Sequence, residues 1–425
     1  MARPRVVIIG GGFGGLTAAQ SLRPAPVDIV LVNSTNHHLF QPLLYQVATA
    51  ALSENDIASP LRTILRSQSN IRVLMNEAVA VDRTTRTVRL KDGSDLAFDY
   101  LILAPGSRHS YFGHEQWEAI APGLKTLADA VNIREHILLS FERADRASRA
   151  ADVRKYLTFA IVGGGPTGVE LAGAIAEIAR QSIVPDFRGF KPEDIRLVLL
   201  EAGDRILPAF DRPLSAGAQE ALEQLGVDVR LNTRVTDVTE HGVFAGGEMI
   251  ETANVIWAAG NEANPLLRSV GAPVDRQGRV CVGTDLSVPG DATMFVIGDA
   301  AYALDAEGHA LPALAPVAMQ QGRYVARLIQ ENVLPASRPP FVYHDRGTMA
   351  TIGKAKAVAQ IGPIRTIGMM AWLLWSLVHI FFLIGFRNRV RVMFEWAWYY
   401  VTLRPGARVI IGKKEEPSKE PRIVV

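Results

Sequence analysis

At 425 residues the chain has room for about two or three domains with a substantial core, and 48% apolar with 21% charged residues excludes a disordered chain. Lysine plus arginine (45) nearly balances aspartate plus glutamate (43), so a formal net charge of +2 makes no general case for nucleic-acid binding. The single cysteine, Cys281, excludes a disulfide framework, a cysteine-based metal site and a dithiol redox pair within one chain.

The N-terminus, MARPRVVIIGGG, has a basic start, but its apolar run lasts only four residues before glycines, and no small-residue cleavage site follows. The main body is therefore expected in the cytoplasm. Val6 to Ile9 reads as a buried parallel strand, Leu16 to Leu22 as a helix and Asp28 to Val32 as a second strand, the β–turn–α–β unit of a dinucleotide fold. Its turn carries Gly10-x-Gly12-x-x-Gly15, with Phe13 and Gly14 inside it. The first glycine suits a tight turn, the second admits a pyrophosphate to the backbone, and the third lets helix and strand pack closely.

His37 and His38 follow. Adjacent side chains diverge, and no carboxylate or cysteine cluster stands nearby, so no metal site is expected. Tyr100 to Ala104 reads as a strand stopping at Pro105–Gly106. The first unit's order then recurs, with the strand Leu157 to Val162, Gly163-x-Gly165-x-x-Gly168, a helix through Arg180 and the strand Arg196 to Leu200. One glycine motif is a weak signal, but two between a strand and a helix are a strong one. Val255 to Ala259 ends at Gly260. Cys281, alternating with Val280 and Val282, reads as a strand residue. Met294 to Ile297 runs into Gly298–Asp299, where an aspartate can hold a ribityl hydroxyl, cap a helix, or both.

Two such motifs imply two dinucleotides. Glu201 closes LVLLE, where a carboxylate can accept from both ribose hydroxyls and repel a 2′-phosphate, favouring NADH over NADPH. The equivalent residue of the first unit is Asn33, an uncharged acceptor. With Gly298–Asp299 as its partner, the first site reads as FAD and the second as NADH.

Ile367 to Phe386, IGMMAWLLWSLVHIFFLIGF, is about the length of a bilayer-spanning helix. Basic and apolar residues then alternate from Arg389 to Tyr400. Arg387, Arg389, Arg391, Arg404, Arg408, Lys413 and Lys414 all follow Phe386. Length favours a spanning helix. The aromatic residues, the flanking arginines and His379 in mid-run favour an interfacial anchor, and we expect the anchor. The end, KKEEPSKEPRIVV, reads as a mobile tail.

The stretch His37 to Ala50 (HHLFQPLLYQVATA), with YLILAPGS, VIWAAG, FVIGDAA and HIFFLIGFRNRVRVMFEWAWYYVT, resembles the type II NADH dehydrogenases, the non-pumping NADH:quinone oxidoreductases. The resemblance covers nearly the whole chain. It implies an α/β fold of two Rossmann-like dinucleotide-binding domains plus a C-terminal membrane-anchoring helical region. Residues 1–112 and 262–345 would bind FAD, 113–261 NADH, and 346–425 the membrane. It also implies a membrane quinone as acceptor, an anionic lipid surface, a homodimer, and a place on the cytoplasmic face of the cell inner membrane. Gln41, Tyr45 and Gln46 fall in its flavin-proximal segment.

Glu170 matches a family glutamate near the meeting point of nicotinamide and flavin, although an acid early in a helix is also favoured by the helix dipole alone. The family's quinone-site helix reads Ala-Gln-x-Ala-x-Gln. Here it is Ala315-Pro316-Val317-Ala318-Met319-Gln320, so Gln320 keeps the second glutamine and Pro316 replaces the first. Lack of a cysteine pair excludes disulfide reductases and disfavours a sulfide:quinone oxidoreductase. A reductase with a soluble acceptor and a membrane-tethered NADH or flavin sensor are the rival readings.

Overall fold

In the computed structural model, residues 3–402 and 406–410 are described. Val6, Val7, Ile8 and Ile9 are buried on both faces because the strand Arg5–Ile9 sits inside a six-stranded sheet. From edge to edge that sheet runs Ser287–Val288, Asp291–Val296, Tyr100–Leu103, Arg5–Ile9, Asp28–Asn33 and Ile71–Met75. All neighbours are parallel except the first pair. A near-continuous apolar run is what such burial requires.

The second unit repeats the arrangement. Its four parallel strands run Val227–Arg230, Arg196–Leu200, Thr158–Val162 and Asn254–Trp257. The duplication goes beyond the expected βαβ. Each unit also carries a three-stranded antiparallel meander, Ala78–Asp82 to Asp95–Ala97 in the first and Val235–Thr239 to Glu248–Glu251 in the second. Paired strands Ser107–His109 and Asn261–Ala263 lead into and out of the second unit, in antiparallel register.

The first helix is Phe13–Ser21 rather than Leu16 onward, because Gly12 already serves as its N-cap. The second, Pro166–Glu177, continues as a π-helical segment, Ile178–Ile183. Cys281 lies in the short strand Val280–Cys281, as expected.

The apolar run from Ile367 is not one helix. Gly368 (φ 83°) separates the strand Ile364–Ile367 from a 14-residue helix, Met369–Phe382. Leu383 leaves the helix, Gly385 (φ 91°) turns the chain, and a 17-residue helix, Phe386–Thr402, follows. Fourteen residues span about 21 Å against a hydrocarbon core of about 30 Å. No helix among the described residues is long and apolar enough to cross a membrane, which corrects the reading from length. Arg404, Lys413, Lys414 and the charged tail lie outside the described residues.

Candidate functional site

The two glycine loops are built alike. Gly10 (φ 102°) and Gly163 (φ 109°) make the turns, in a region that disfavours side chains. A Cβ on Gly15 would stand 1.9 Å from the Gly10 carbonyl oxygen, and one on Gly168 1.9 Å from that of Gly163. Helix and strand meet too closely for any other residue. The middle glycines are the opposite case, since a Cβ at Gly12 or Gly165 meets nothing within 4 Å. Each is also the N-cap of its helix, without a side-chain cap. Unsatisfied N–H groups therefore face open space at the positive end of a helix, the setting that receives a phosphate.

The acceptor after each second strand grips the loop in the same way. Asn33 Oδ1 accepts from the Gly11 N–H at 2.8 Å, and Glu201 Oε2 accepts from the Gly164 N–H at 2.6 Å. Glu201 Oε1 also accepts from Gly203 N–H at 2.6 Å. The loops thus differ in charge at one matched position. His38 is buried and bonds the Gly11 carbonyl through Nδ1 at 2.9 Å, with Phe13 edge-on at 5.1 Å between ring centroids. Its role is to brace the first loop. Gly14 packs beneath Ile297 and the Ala318 carbonyl.

Asp299 accepts from Ser107 Oγ at 2.7 Å, and Lys125 Nζ donates to the same oxygen at 3.1 Å. Burial lowers the Lys125 pKa and Asp299 opposes that shift. Gln41 Nε2 reaches the Lys125 carbonyl at 3.5 Å, so Gln41 and Asp299 flank one lysine. The neighbouring Gly298 N–H donates to Gln321 Oε1 at 2.6 Å. Gly260 lies at the inter-unit junction against the Ser110 carbonyl and the Phe112 ring.

Glu170 is the fifth residue of its helix, past the first turn, so the helix-dipole account does not hold. It lines a cavity with Tyr45, Gln46, Glu177, Thr351, Trp396 and Tyr400. Burial lifts its carboxyl from an ordinary 4.5 to about 8, with the Thr351 N–H pulling the other way. Gln320 is not brought to that cavity. Its Nε2 donates to the His344 carbonyl at 2.9 Å and its Oε1 accepts from the His344 N–H at 3.0 Å.

Residues 4–322 match the family model for pyridine nucleotide-disulphide oxidoreductases, and residues 345–404 match that for the NDH2 C-terminal domain. The chain is 44% identical to the type II NADH:quinone oxidoreductase NdhA of Mycobacterium tuberculosis, across 97% of this chain and 90% of that one. It belongs to the type II NADH:quinone oxidoreductases. A second relative from that organism, Ndh, is 42% identical over 97% of the chain and 91% of its own length. NDH2 from Plasmodium falciparum, solved with NADH, shares the fold at a TM-score of 0.87 and 20% identity, covering 96% of this chain and all of that one.

In this type II enzyme the C-terminal helices present an apolar face. Met370, Leu373, Leu377 and Phe381 follow one another at helical spacing and are 69%, 49%, 68% and 66% exposed. Phe386, Phe394, Trp398 and Val401 are exposed on the second helix. The opposite side is core, where Trp375 and Trp396 are buried and stacked at 5.5 Å. His379 faces that inner side. Its Nδ1 bonds the Trp375 carbonyl at 2.6 Å, and burial brings its pKa down to about 4. Of the arginines, Arg389 caps the Leu383 carbonyl at 2.7 Å and Arg391 lies 2.9 Å from the buried Asp56, while Arg387 is exposed.

Lys125, Ser107 and Gln321 had no sequence signal, because each gains meaning only from a partner brought by the fold. Trp396 and Thr351 beside Glu170 are the same case.

Proposed function

We propose that the chain is an FAD-dependent NADH:quinone oxidoreductase that works without pumping protons. The observation that carries this reading is the pair of matched glycine cradles distinguished at Asn33 and Glu201, in a chain that belongs to the type II family. Flavin held there would supply the two-electron chemistry that links NADH to quinone.

The residues fit both dinucleotides. Gly10, Gly12, Phe13, Gly14 and Gly15 form the first cradle, with Asn33, Gln41, Gly298 and Asp299 set to hold FAD. Gly163, Gly165, Gly168, Glu201 and Gly260 are set to hold NADH. The Glu201 carboxylate repels a ribose 2′-phosphate, whereas Asn33 does not. The corresponding domains are 1–112 with 262–345 for FAD, 113–261 for NADH and 346–425 for the membrane. Overall, NADH, a proton and quinone give NAD⁺ and quinol, so one proton must come from outside the hydride. Glu170, which holds a proton at neutral pH, is the group assigned to supply it. Gln320 keeps one N–H and one lone pair beyond its bonds to His344, and we assign it to hydrogen-bond the quinone carbonyl.

The exposed stripe from Met370 to Phe381, with Arg387 nearby, supports peripheral attachment to the anionic cytoplasmic face of the cell inner membrane. A homodimer is the assembly we assign, to be checked by mass in detergent. The functional test follows flavin absorbance in detergent-extracted protein. NADH should bleach it and a quinone should restore it. Bleaching without recovery under any quinone would leave a sensor or a reductase with another acceptor.

A further inference from the structure

The helix Phe386–Thr402 closes one side of the Glu170 cavity with Trp396, Tyr399 and Tyr400. From it a short hydrogen-bond chain runs inward. Trp396 Nε1–H donates to Gln46 Oε1 at 2.8 Å, and Gln46 Nε2–H donates to the Tyr45 hydroxyl oxygen at 2.8 Å. All three side chains are buried.

The chain has a fixed direction. An indole nitrogen only donates, so the amide atom facing it must be the oxygen. The Gln46 amide then turns its N–H₂ toward Tyr45. The Tyr45 oxygen accepts from that group, and its own hydrogen is left for another acceptor. Glu170 lines the same cavity as Tyr45 and acts electrostatically on its phenol, which burial keeps protonated far above neutral pH. Without the indole N–H, the Gln46 amide is free to turn over. Its oxygen would then accept the Tyr45 hydrogen, and the cavity would lose that donor.

We propose that Trp396 is a positioning residue for the reaction: by donating to Gln46 it makes Tyr45 direct its hydroxyl hydrogen into the cavity it shares with Glu170. This rests on the role given to Glu170 above. The same helix is held on the first unit by Arg391 at 2.9 Å from Asp56 and by Asn388 donating to Ser59 Oγ at 3.2 Å. Its seat therefore decides whether the chain is complete.

The test uses the full-length, flavin-loaded protein. Trp396→Phe keeps an aromatic ring at the position facing Trp375 and removes the donor, at the cost of some buried volume. Flavin reduction by NADH and the KM for NADH should stay at wild-type values. The kcat for quinone reduction should fall about fivefold, the factor that one hydrogen bond of ordinary net strength represents. Tyr45→Phe should lower kcat similarly, and the double variant should be no slower than Tyr45→Phe alone, since both changes remove the same donor. Gln46→Leu leaves no amide oxygen to take the Tyr45 hydrogen, so added to Trp396→Phe it should return kcat toward the wild-type value, and no recovery would count against the proposal. Falls that multiply in the double variant, or a Trp396→Phe enzyme with wild-type kcat, would overturn the proposal. A wild-type enzyme that turns over no quinone would instead overturn the functional reading, and this proposal with it.

Discussion

Alanine at Gly165 and alanine at Gly168 are the same change three residues apart, and the structure gives them opposite consequences. Gly165 has φ −73° and ψ −179°, which alanine adopts without strain, and its Cβ would meet nothing within 4 Å. Stability should move by no more than about 0.5 kcal/mol, as at other sites free of packing. The methyl does, however, stand where a pyrophosphate must reach the helix N-terminus. Losing one hydrogen bond to a charged group costs about 1.5–3 kcal/mol, or roughly a 10- to 150-fold rise in the NADH dissociation constant. At Gly168 the methyl falls 1.9 Å from a backbone carbonyl that cannot swing aside. Overpacking costs about 1–3 kcal/mol, here at the upper end, and the helix propensity of alanine returns up to about 1 kcal/mol. A net loss of about 2 kcal/mol lowers Tm by about 4–8 °C in a domain of this size. Thermal melts of ligand-free protein, paired with the NADH dependence of flavin reduction, separate the two effects. A Gly165→Ala protein with unchanged NADH dependence, or melting as low as Gly168→Ala, would refute the argument.

Glu201→Gln should weaken NADH use and narrow its kcat/KM advantage over NADPH, and an unchanged ratio would remove Glu201 from the ribose site. Because the folded Glu170 pKa is raised, from 4.5 to about 8, the wild type loses stability as pH climbs through that interval, where the unfolded chain has already ionised. Glu170→Gln lacks this loss, so its Tm relative to wild type should rise from pH 5 to about pH 8 and then level off; a flat difference would contradict the burial argument. Leu377→Glu with Phe381→Glu should abolish sedimentation with anionic vesicles while leaving flavin reduction intact, and undiminished binding would place the contact elsewhere. Gln320→Ala should raise the quinone KM several-fold with the NADH half-reaction untouched, and stopped-flow traces showing the reverse would exclude it from the acceptor site.

Much of the fold was legible because its signals are local. A glycine loop, the strand before it and the acceptor at the end of the next strand lie within about 45 residues in each unit (Val6 to Asn33, Leu157 to Glu201), and the structure joins them directly. Signals that depend on distant partners were not legible. Glu170 stood out as an acid near a helix start, but the proton it holds is owed to burial in a cavity that Trp396, far along the chain, helps to line, against the opposing pull of the Thr351 N–H. The length of the apolar run from Ile367, which favoured a spanning helix over the expected anchor, was deceptive for another reason. Averaged hydropathy hides Gly368 and Gly385, whose positive φ angles end one element and begin another. The antiparallel meanders escaped notice because their short, half-exposed strands carry little apolar alternation.

The junction of Ser107–His109 with Asn261–Ala263 bears on how such a chain arose. The second unit begins and ends at one seam, where the backbones run side by side and Arg108 pairs with Glu262. A module whose two ends meet can be spliced into a surface loop without prising apart the strands of its host. A copy of the ancestral nucleotide fold could thus have entered the original in one event, leaving the parent sheet whole. Cutting at the seam and rejoining the host with a short turn would reverse that step, because adjacent strands lie only about 5 Å apart.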